Sequence, residues 1–196
     1  MKRIILIIAA VAAMAACDNT GWTKQERATI MDQGVVMYVT TVPGDSTILR
    51  TKCTEIGQKE LKSEELQTLI SKMKATVTDP SQDGVGIAAP QVGISRRIIV
   101  VQRFDKEGEP FEAYVNVKID SLKGEIVRGR EGCLSIPGLR GIVPRNSITN
   151  ISYTEVPSGT TIKEQIEGFT AVIFQHECDH LDGILYTDRA DSLFTY

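Results

Sequence analysis

Phe169-Thr170-Ala171-Val172-Ile173-Phe174-Gln175-His176-Glu177-Cys178-Asp179-His180 is the stretch whose reading decides the fold. A helix advances about 100° per residue, so His176 and His180 stand about 40° apart around the axis and one turn apart along it. Both imidazoles can therefore reach one metal ion. Glu177, about 100° from His176, stays outside the ligand shell yet close enough to move protons of a bound water. That is a hydrolase arrangement. The rival reading is a chance pattern on a solvated helix face, or a structural pair of core histidines. The surroundings disfavour it: Phe169, Ile173, His176 and His180 follow at spacings of four, three and four, so the histidines continue an apolar stripe. They are also the only two histidines of the chain. Ala171, Val172 and Phe174 make the preceding turn apolar on its other sides, as in a buried central helix. Gly183 is a natural stop for it.

Between Arg97 and Val156 the texture changes to short β-branched runs, Ile98 to Val101, Tyr114 to Ile119, Gly124 to Val127 and Ile148 to Val156, separated by Gly, Pro, Asn and Asp. These predict antiparallel strands. Before them, Leu61, Leu66, Leu69, Ile70, Met73 and Val77 carry helical spacing, with a start near Ser63-Glu64-Glu65 and a stop at Asp79-Pro80. Helix, strands, helix predicts an α+β domain in which antiparallel β-sheets pack around the central metal-binding helix.

The N-terminus opens on Lys2 and Arg3 and then runs apolar from Ile4 to Ala16. Thirteen apolar residues are too few to span a bilayer, which needs about 20, but suit the core of a secretory signal. Met14-Ala15-Ala16 before Cys17 resembles the lipobox of bacterial lipoproteins, which implies a signal peptide over 1–16, a lipid on Cys17 and an exported, membrane-anchored chain. An ordinary secretory signal cleaved near Ala16 and an uncleaved anchor are the alternatives. Residues 17–34, polar with Gly21 and Gly34, predict a tether, and 35–196 the catalytic domain. The remaining length suits one domain, expected to act as a monomer. A net charge of −3, with no Lys/Arg cluster after the signal segment, excludes nucleic acid as an electrostatic partner. Of the four cysteines, Cys53 and Cys178 alone are left without another role or place, nothing in the sequence brings them together, and no disulfide is expected.

A metal on two histidines of one helix needs a third protein ligand from elsewhere, with water completing a catalytic site. Cys133 in Glu131-Gly132-Cys133-Leu134-Ser135 is the best candidate, although a lone cysteine is more often a small buried hydrophobe. Gly132 permits close backbone approach, and Pro137 with Gly138 turns the chain just after it, which marks a shaped loop. The third stretch, Gly84-Val85-Gly86-Ile87-Ala88-Ala89-Pro90-Gln91, lets another backbone lie against it, and Gln91 offers an amide donor. It lacks the Lys-Ser/Thr pair and the glycine spacing of phosphate-binding loops.

Together the three segments resemble the peptide deformylase family, whose signatures Gly-x-Gly-x-Ala-Ala-x-Gln, Glu-Gly-Cys-Leu-Ser and His-Glu-x-x-His all occur here in family order. The resemblance spans about residues 35 to 188 and includes an Asp-x-x-Leu-Arg counterpart over Asp45 to Arg50. It implies a peptide deformylase-like fold, with Cys133, His176 and His180 as metal ligands and Glu177 as general acid/base. The Gln91 amide and the Leu134 backbone N–H would hold the developing oxyanion. Val85, Gly86, Ile87, Phe169, Val172 and Ile173 would line or border a pocket for a methionine side chain. Arg140 would lie near the substrate's downstream backbone, and Arg145 would brace Asp179 behind the ligands. Two positions depart from the family: Val117 follows Asn116 where proline is usual, and Gly129 replaces a bulky pocket residue, which would widen the pocket. The implied reaction is hydrolysis of N-formyl-methionyl peptides to formate and a free N-terminus, with Fe2+ or Zn2+, and Ni2+ as a third possibility, in the site. A related metal amidase acting on other N-acyl groups, and a peptide-binding protein that has lost turnover, are the competing readings. The intact Glu177 disfavours the second.

Overall fold

The computed structural model describes residues 21–195 apart from Asp45 and Asp83. The signal segment, Cys17, Asp45 of the opening motif and residues 18–20 of the expected tether lie outside the described residues.

Among the described residues six strands form one connected antiparallel sheet: β1 (Gly86–Ala88), β2 (Ile98–Gln102), β3 (Phe111–Cys133), β4 (Ile136–Thr154), β5 (Thr161–Glu167) and β6 (Ser192–Thr195). The order is β1-β2-β3-β4-β5, with β6 also paired to β4, and every strand pair is antiparallel. The four α-helices among the described residues are α1 (Lys24–Ile30), α2 (Ser46–Leu49), α3 (Glu64–Val77) and α4 (Gly168–Leu181). The α+β architecture expected from the sequence is present. Its strands form a single sheet, because β3 and β4 run on through the breaks between the β-branched runs, with four register shifts along their pairing.

The run Ile98-Ile99-Val100-Val101 shows why the sheet is layered between helices. Side chains alternate along a strand, so Ile98 and Val100 pack with Leu66, Leu69 and Met73 of α3, while Ile99 and Val101 pack with Ala171, Phe174 and Cys178 of α4. A strand covered on both faces needs no polar positions. α3 starts where the sequence places it, with the Ser63 hydroxyl accepting from the Leu66 N–H at 3.2 Å.

α4 is held at both ends. Its C-terminus is followed by Gly183 at φ +74°, where a Cβ would fall 2.6 Å from the Arg50 carbonyl oxygen, so this turn needs glycine twice over. The buried Arg97 guanidinium donates to Asp182 at 2.7 Å and to the Val117 carbonyl at 3.0 Å, tying the helix end to β2 and β3. At position 116, before Val117, Asn116 adopts φ +54° and its side chain bonds both backbone groups of Ile56.

Residues 22–34, read from their polarity as part of a tether, are largely folded onto the domain. A capping box between Thr23 and Glu26 starts α1. Trp22 and Ile30 are buried in the α3 core cluster, and Glu26 pairs with the buried Arg96 at 2.7 Å. Two apolar anchors and one ion pair on an otherwise polar segment give too weak a periodicity to read. No helix among the described residues is long and apolar enough to cross a membrane.

Candidate active site

The β3–β4 hairpin and α4 together build the site. The tight turn falls at Leu134 and Ser135, which places Cys133 at the last position of β3. Beyond it the register jumps from Cys133↔Ile136 to Glu131↔Gly141, so residues 137–140 of β4 face Gly132 alone. Pro137 and Gly138 thus bend the chain inside β4 as a bulge, where the sequence suggested a loop. The bulge lays the Arg140 side chain across Gly132, where a Cβ would fall 1.6 Å from Nη1. Any side chain at 132 would have to push Arg140 aside.

Cys133 Sγ, one ring nitrogen of His176 and one of His180 converge, all within 4.8 Å of one another. Cys133 Sγ lies 3.2 Å from His180 Nε2. One soft sulfur and two imidazole nitrogens at this separation suit a single divalent ion such as zinc or ferrous iron. The electrostatics agree. Burial alone would push the Cys133 thiol up, but the His180 and His176 rings outweigh it and hold it well below the ordinary thiol value. Burial pushes the Cys53 thiol up to about 11 and that of Cys178 higher still, so of the three described cysteines Cys133 is the one poised as a thiolate ligand.

Behind the ligands stands a chain of charges that reading the sequence recovered only in part. His176 Nδ1 lies 2.8 Å from Glu131 Oε2, which turns the opposite ring nitrogen toward the cleft. Arg145 forks onto both oxygens of Glu131 at 2.8 and 3.0 Å and reaches Asp179 at 2.5 Å. Arg189 closes the other side of Asp179 with two bonds of 2.6 Å. Burial would raise the Glu131 carboxyl, but His176 and Arg145 hold it at about 2. The Tyr186 ring stacks on His176 with centroids 5.9 Å apart, and its hydroxyl donates to the Leu139 carbonyl at 3.0 Å. The bracing of Asp179 by Arg145 is in place. The roles of Glu131, Arg189 and Tyr186 went unread, because each depends on a partner far away in the chain; only the position of Glu131 beside the cysteine gave a hint.

Glu177 is 4% exposed, and its Oε2 has no hydrogen-bond partner. Burial pushes its carboxyl up to about 7, with the His176 and His180 charges restraining the rise. Gln91 is oriented from behind: its Oε1 accepts the Ala88 N–H at 2.8 Å, so its amide Nε2 must face the other way, 3.4 Å from Cys133 Sγ and 3.2 Å from Ser135 Oγ. Ser135 is a further residue the sequence left without a role.

Of these groups Gln91, Glu131, Cys133, His176 and Glu177 border one cleft of about 570 Å³, also lined by Val85, Gly86, Leu134, Arg140, Phe169, Val172 and Ile173. Against expectation, Ile87 is fully buried on the far side of β1, in the α3 core, because strand alternation turns it away from its neighbours Gly86 and Ala88. Gly129 is next to Arg130 of the lining, and a Cβ there would meet nothing within 4 Å, so the space beside it is open. Phe169, placed on the buried stripe from its spacing, is 56% exposed at the lip, with its ring 5.3 Å from that of Phe104.

The Gly86 backbone lies directly against the Glu177 carboxylate. A Cβ there would fall 2.5 Å from Glu177 Oε1 and 2.9 Å from Ile173 Cγ2. Gly86→Ala should therefore displace Glu177 and lower kcat about 10- to 100-fold, since a 1 Å misplacement can cost about 10²-fold. An unchanged kcat would show that the carboxylate position is not critical.

An α+β domain whose buried helix presents two histidines and a glutamate beside a strand-borne cysteine defines a single-metal hydrolase. The family described as Polypeptide deformylase matches this sequence over residues 37–195, and the chain belongs to that family. It is 44% identical over 133 residues to peptide deformylase 2 of Nostoc, covering 65% of this chain and 73% of that protein. It is 38% identical over 161 residues to peptide deformylase 1 of Xanthomonas campestris, covering 78% and 90%. A crystal structure of class I type b peptide deformylase from Acinetobacter baumannii with Met-Ala-Ser bound superposes with a TM-score of 0.70 at 37% identity, over 79% of this chain and 98% of that one.

Proposed function

We propose that this chain is a peptide deformylase that works outside the cytoplasm, held to a membrane by a lipid on Cys17, and that it removes the formyl group from N-formyl-methionyl peptides as a monomer. The observation that carries the activity is the convergence of Cys133, His176 and His180 beside the buried Glu177 in a cleft wide enough for a peptide end. Anchoring rests on the charged start, the apolar run and the small residues before Cys17.

Cys133, His176 and His180 would hold one divalent metal, with ferrous iron or zinc the fitting ions and nickel a third, and it would lower the pKa of a water there toward about 7. Glu177, raised to about 7 by burial, accepts a proton at its carboxylate and later delivers it to the leaving amine. As the water oxygen bonds to the formyl carbon and the C–N bond breaks, the products are formate and a free N-terminal amine. The Gln91 amide, fixed by Ala88, and the Leu134 backbone N–H donate to the developing oxyanion. Val85, Val172 and Ile173 offer the methionine side chain an apolar wall.

Purified mature chain should release formate from formyl-Met-Ala-Ser and leave acetyl-Met-Ala-Ser nearly untouched. One extra methyl in a tight site costs about 1–3 kcal/mol, and the acetyl carbonyl is also less electrophilic. Equal turnover of both substrates, or of neither, would defeat the deformylase reading. The anchor has its own test: Cys17→Ala should move the protein from the membrane to the soluble fraction or block its maturation.

A further inference from the structure

We infer that the face formed by α1 and residues 31–38 lies flat on a lipid bilayer, an inference that rests on the lipid-anchored reading above. Among the described residues nine large hydrophobic side chains are exposed. Four of them, Met31 (49%), Val35 (70%), Val36 (44%) and Tyr38 (82%), fall within eight consecutive positions. Elsewhere on this segment the apolar residues are turned inward: Trp22, Ile30 and Met37 are buried against α3. The outward set is therefore an unpartnered apolar strip on an otherwise well-packed element.

The distance from the folded domain to Cys17 argues for a bilayer as its cover. Gly21 and Trp22 are clamped to the domain: the Gly21 carbonyl accepts from the buried Arg96 at 2.6 Å, and the Trp22 indole donates to Ser63 Oγ at 3.1 Å. Cys17 is four residues earlier, a covalent reach of about 14 Å at most. A lipid on Cys17 can leave Gly21 no further than that from the bilayer.

The strip continues from the clamp along the same side. Trp22 is bonded at Ser63, and the Met37 N–H donates to Thr76 Oγ1 at 2.9 Å. Ser63 and Thr76 are thirteen residues apart along α3, so the segment runs about 20 Å beside that helix. The leash end and the apolar end both lie against α3, so contact of both with one bilayer would set α3 roughly parallel to the membrane plane. Val36 and Tyr38 line a shallow groove with Gln25 and Ala28 of α1. Lys24 and Arg27 are exposed on the same helix, Arg27 also pairing with Glu65 at 3.6 Å, and suit anionic headgroups. Of the acidic residues here Glu26 is neutralised by Arg96, and Asp32 is the one within 31–38. Tyrosine beside aliphatic side chains is the composition of a membrane interface. A patch this small would bind lipid weakly on its own; a leash of four residues raises its effective concentration at the bilayer.

The test reconstitutes the mature, lipid-bearing chain in phosphatidylethanolamine/phosphatidylglycerol vesicles whose acyl chains carry bromine, a contact quencher of tryptophan. Trp22, the only native tryptophan, is buried and supplies a constant background. Tyr38→Trp adds a fluorophore on the proposed face, and Leu122→Trp adds one on exposed β3. The added signal at 38 should be quenched at least about twofold and that at 122 left unchanged. A chain with lipid on Cys17 in its mass spectrum, but no quenching at 38, would overturn the docking face and leave the anchor standing. An unmodified Cys17 would remove the leash, and both readings would fall. A dimer mass with residue 38 shielded from bromolipid would give the face to a second copy and refute the bilayer.

Discussion

Glu177→Gln is expected to lower kcat for formyl-Met-Ala-Ser by about 10²–10⁴-fold, the range a positioned proton carrier supplies, while metal content and melting temperature stay close to wild type. The expectation follows from where the carboxyl sits. It is buried beside the ligand cluster with one oxygen unpartnered, and burial lifts it to about 7, so near neutral pH it can both accept and return a proton. Glutamine keeps the shape and cannot do either. Because Glu177 is absent from the converging ligand set, its replacement should not release the ion. Metal analysis and a formate assay on the same preparation separate the possibilities. A tenfold loss or less would assign the proton transfers to another group, and loss of metal together with activity would mean that Glu177 holds the ion or the helix.

The helix carrying Glu177 was the most legible part of the chain, and the reason is local. A 3.6-residue repeat fixes which side chains share a face without reference to anything distant, so the ligand pair, the stop at Gly183 and the buried flank of α4 could all be read in order. The α3 start at Ser63 was readable for the same reason. Strands whose identity depends on partners were not. β1 is Gly-Ile-Ala, with too little β-branching to announce itself, and β5, Thr-Ile-Lys-Glu-Gln-Ile-Glu, alternates but is mostly polar because it pairs only with β4 in the strand order. The breaks at Gly124 and near Pro137 looked like strand ends and are bulges within longer strands. The same divide runs through the site. Cys133, Gln91 and the helix residues were found through compact motifs, whereas the work of Glu131 is set by His176 and Arg145, 45 and 14 positions away. Ile87 shows the opposite error: it belongs to the cleft segment by sequence, and the pleat turns it into the core.

The most destabilising substitution should be at that hidden layer. Arg145→Met removes the buried cation that forks onto Glu131 and reaches Asp179, with the Arg145 and Glu131 side chains only 4% and 7% exposed. Asp179 keeps Arg189 through two short bonds, so the carboxylate stranded is Glu131, left with His176 alone. Breaking a buried pair by removing one partner costs about 3–5 kcal/mol, because the other charge stays desolvated and uncompensated. For a domain of this size that corresponds to a fall in Tm of roughly 6–20 °C. Removing the second charge as well should recover much of it: Arg145→Met with Glu131→Gln leaves no uncompensated ion, so the double variant should melt above the single one, although glutamine orients His176 less firmly. Thermal melts of the metal-loaded wild type, both single variants and the double variant complete the cycle. If Arg145→Met melts within about 2 °C of wild type, the charge layer behind the ligands contributes little to stability, and its function lies in aiming His176 alone.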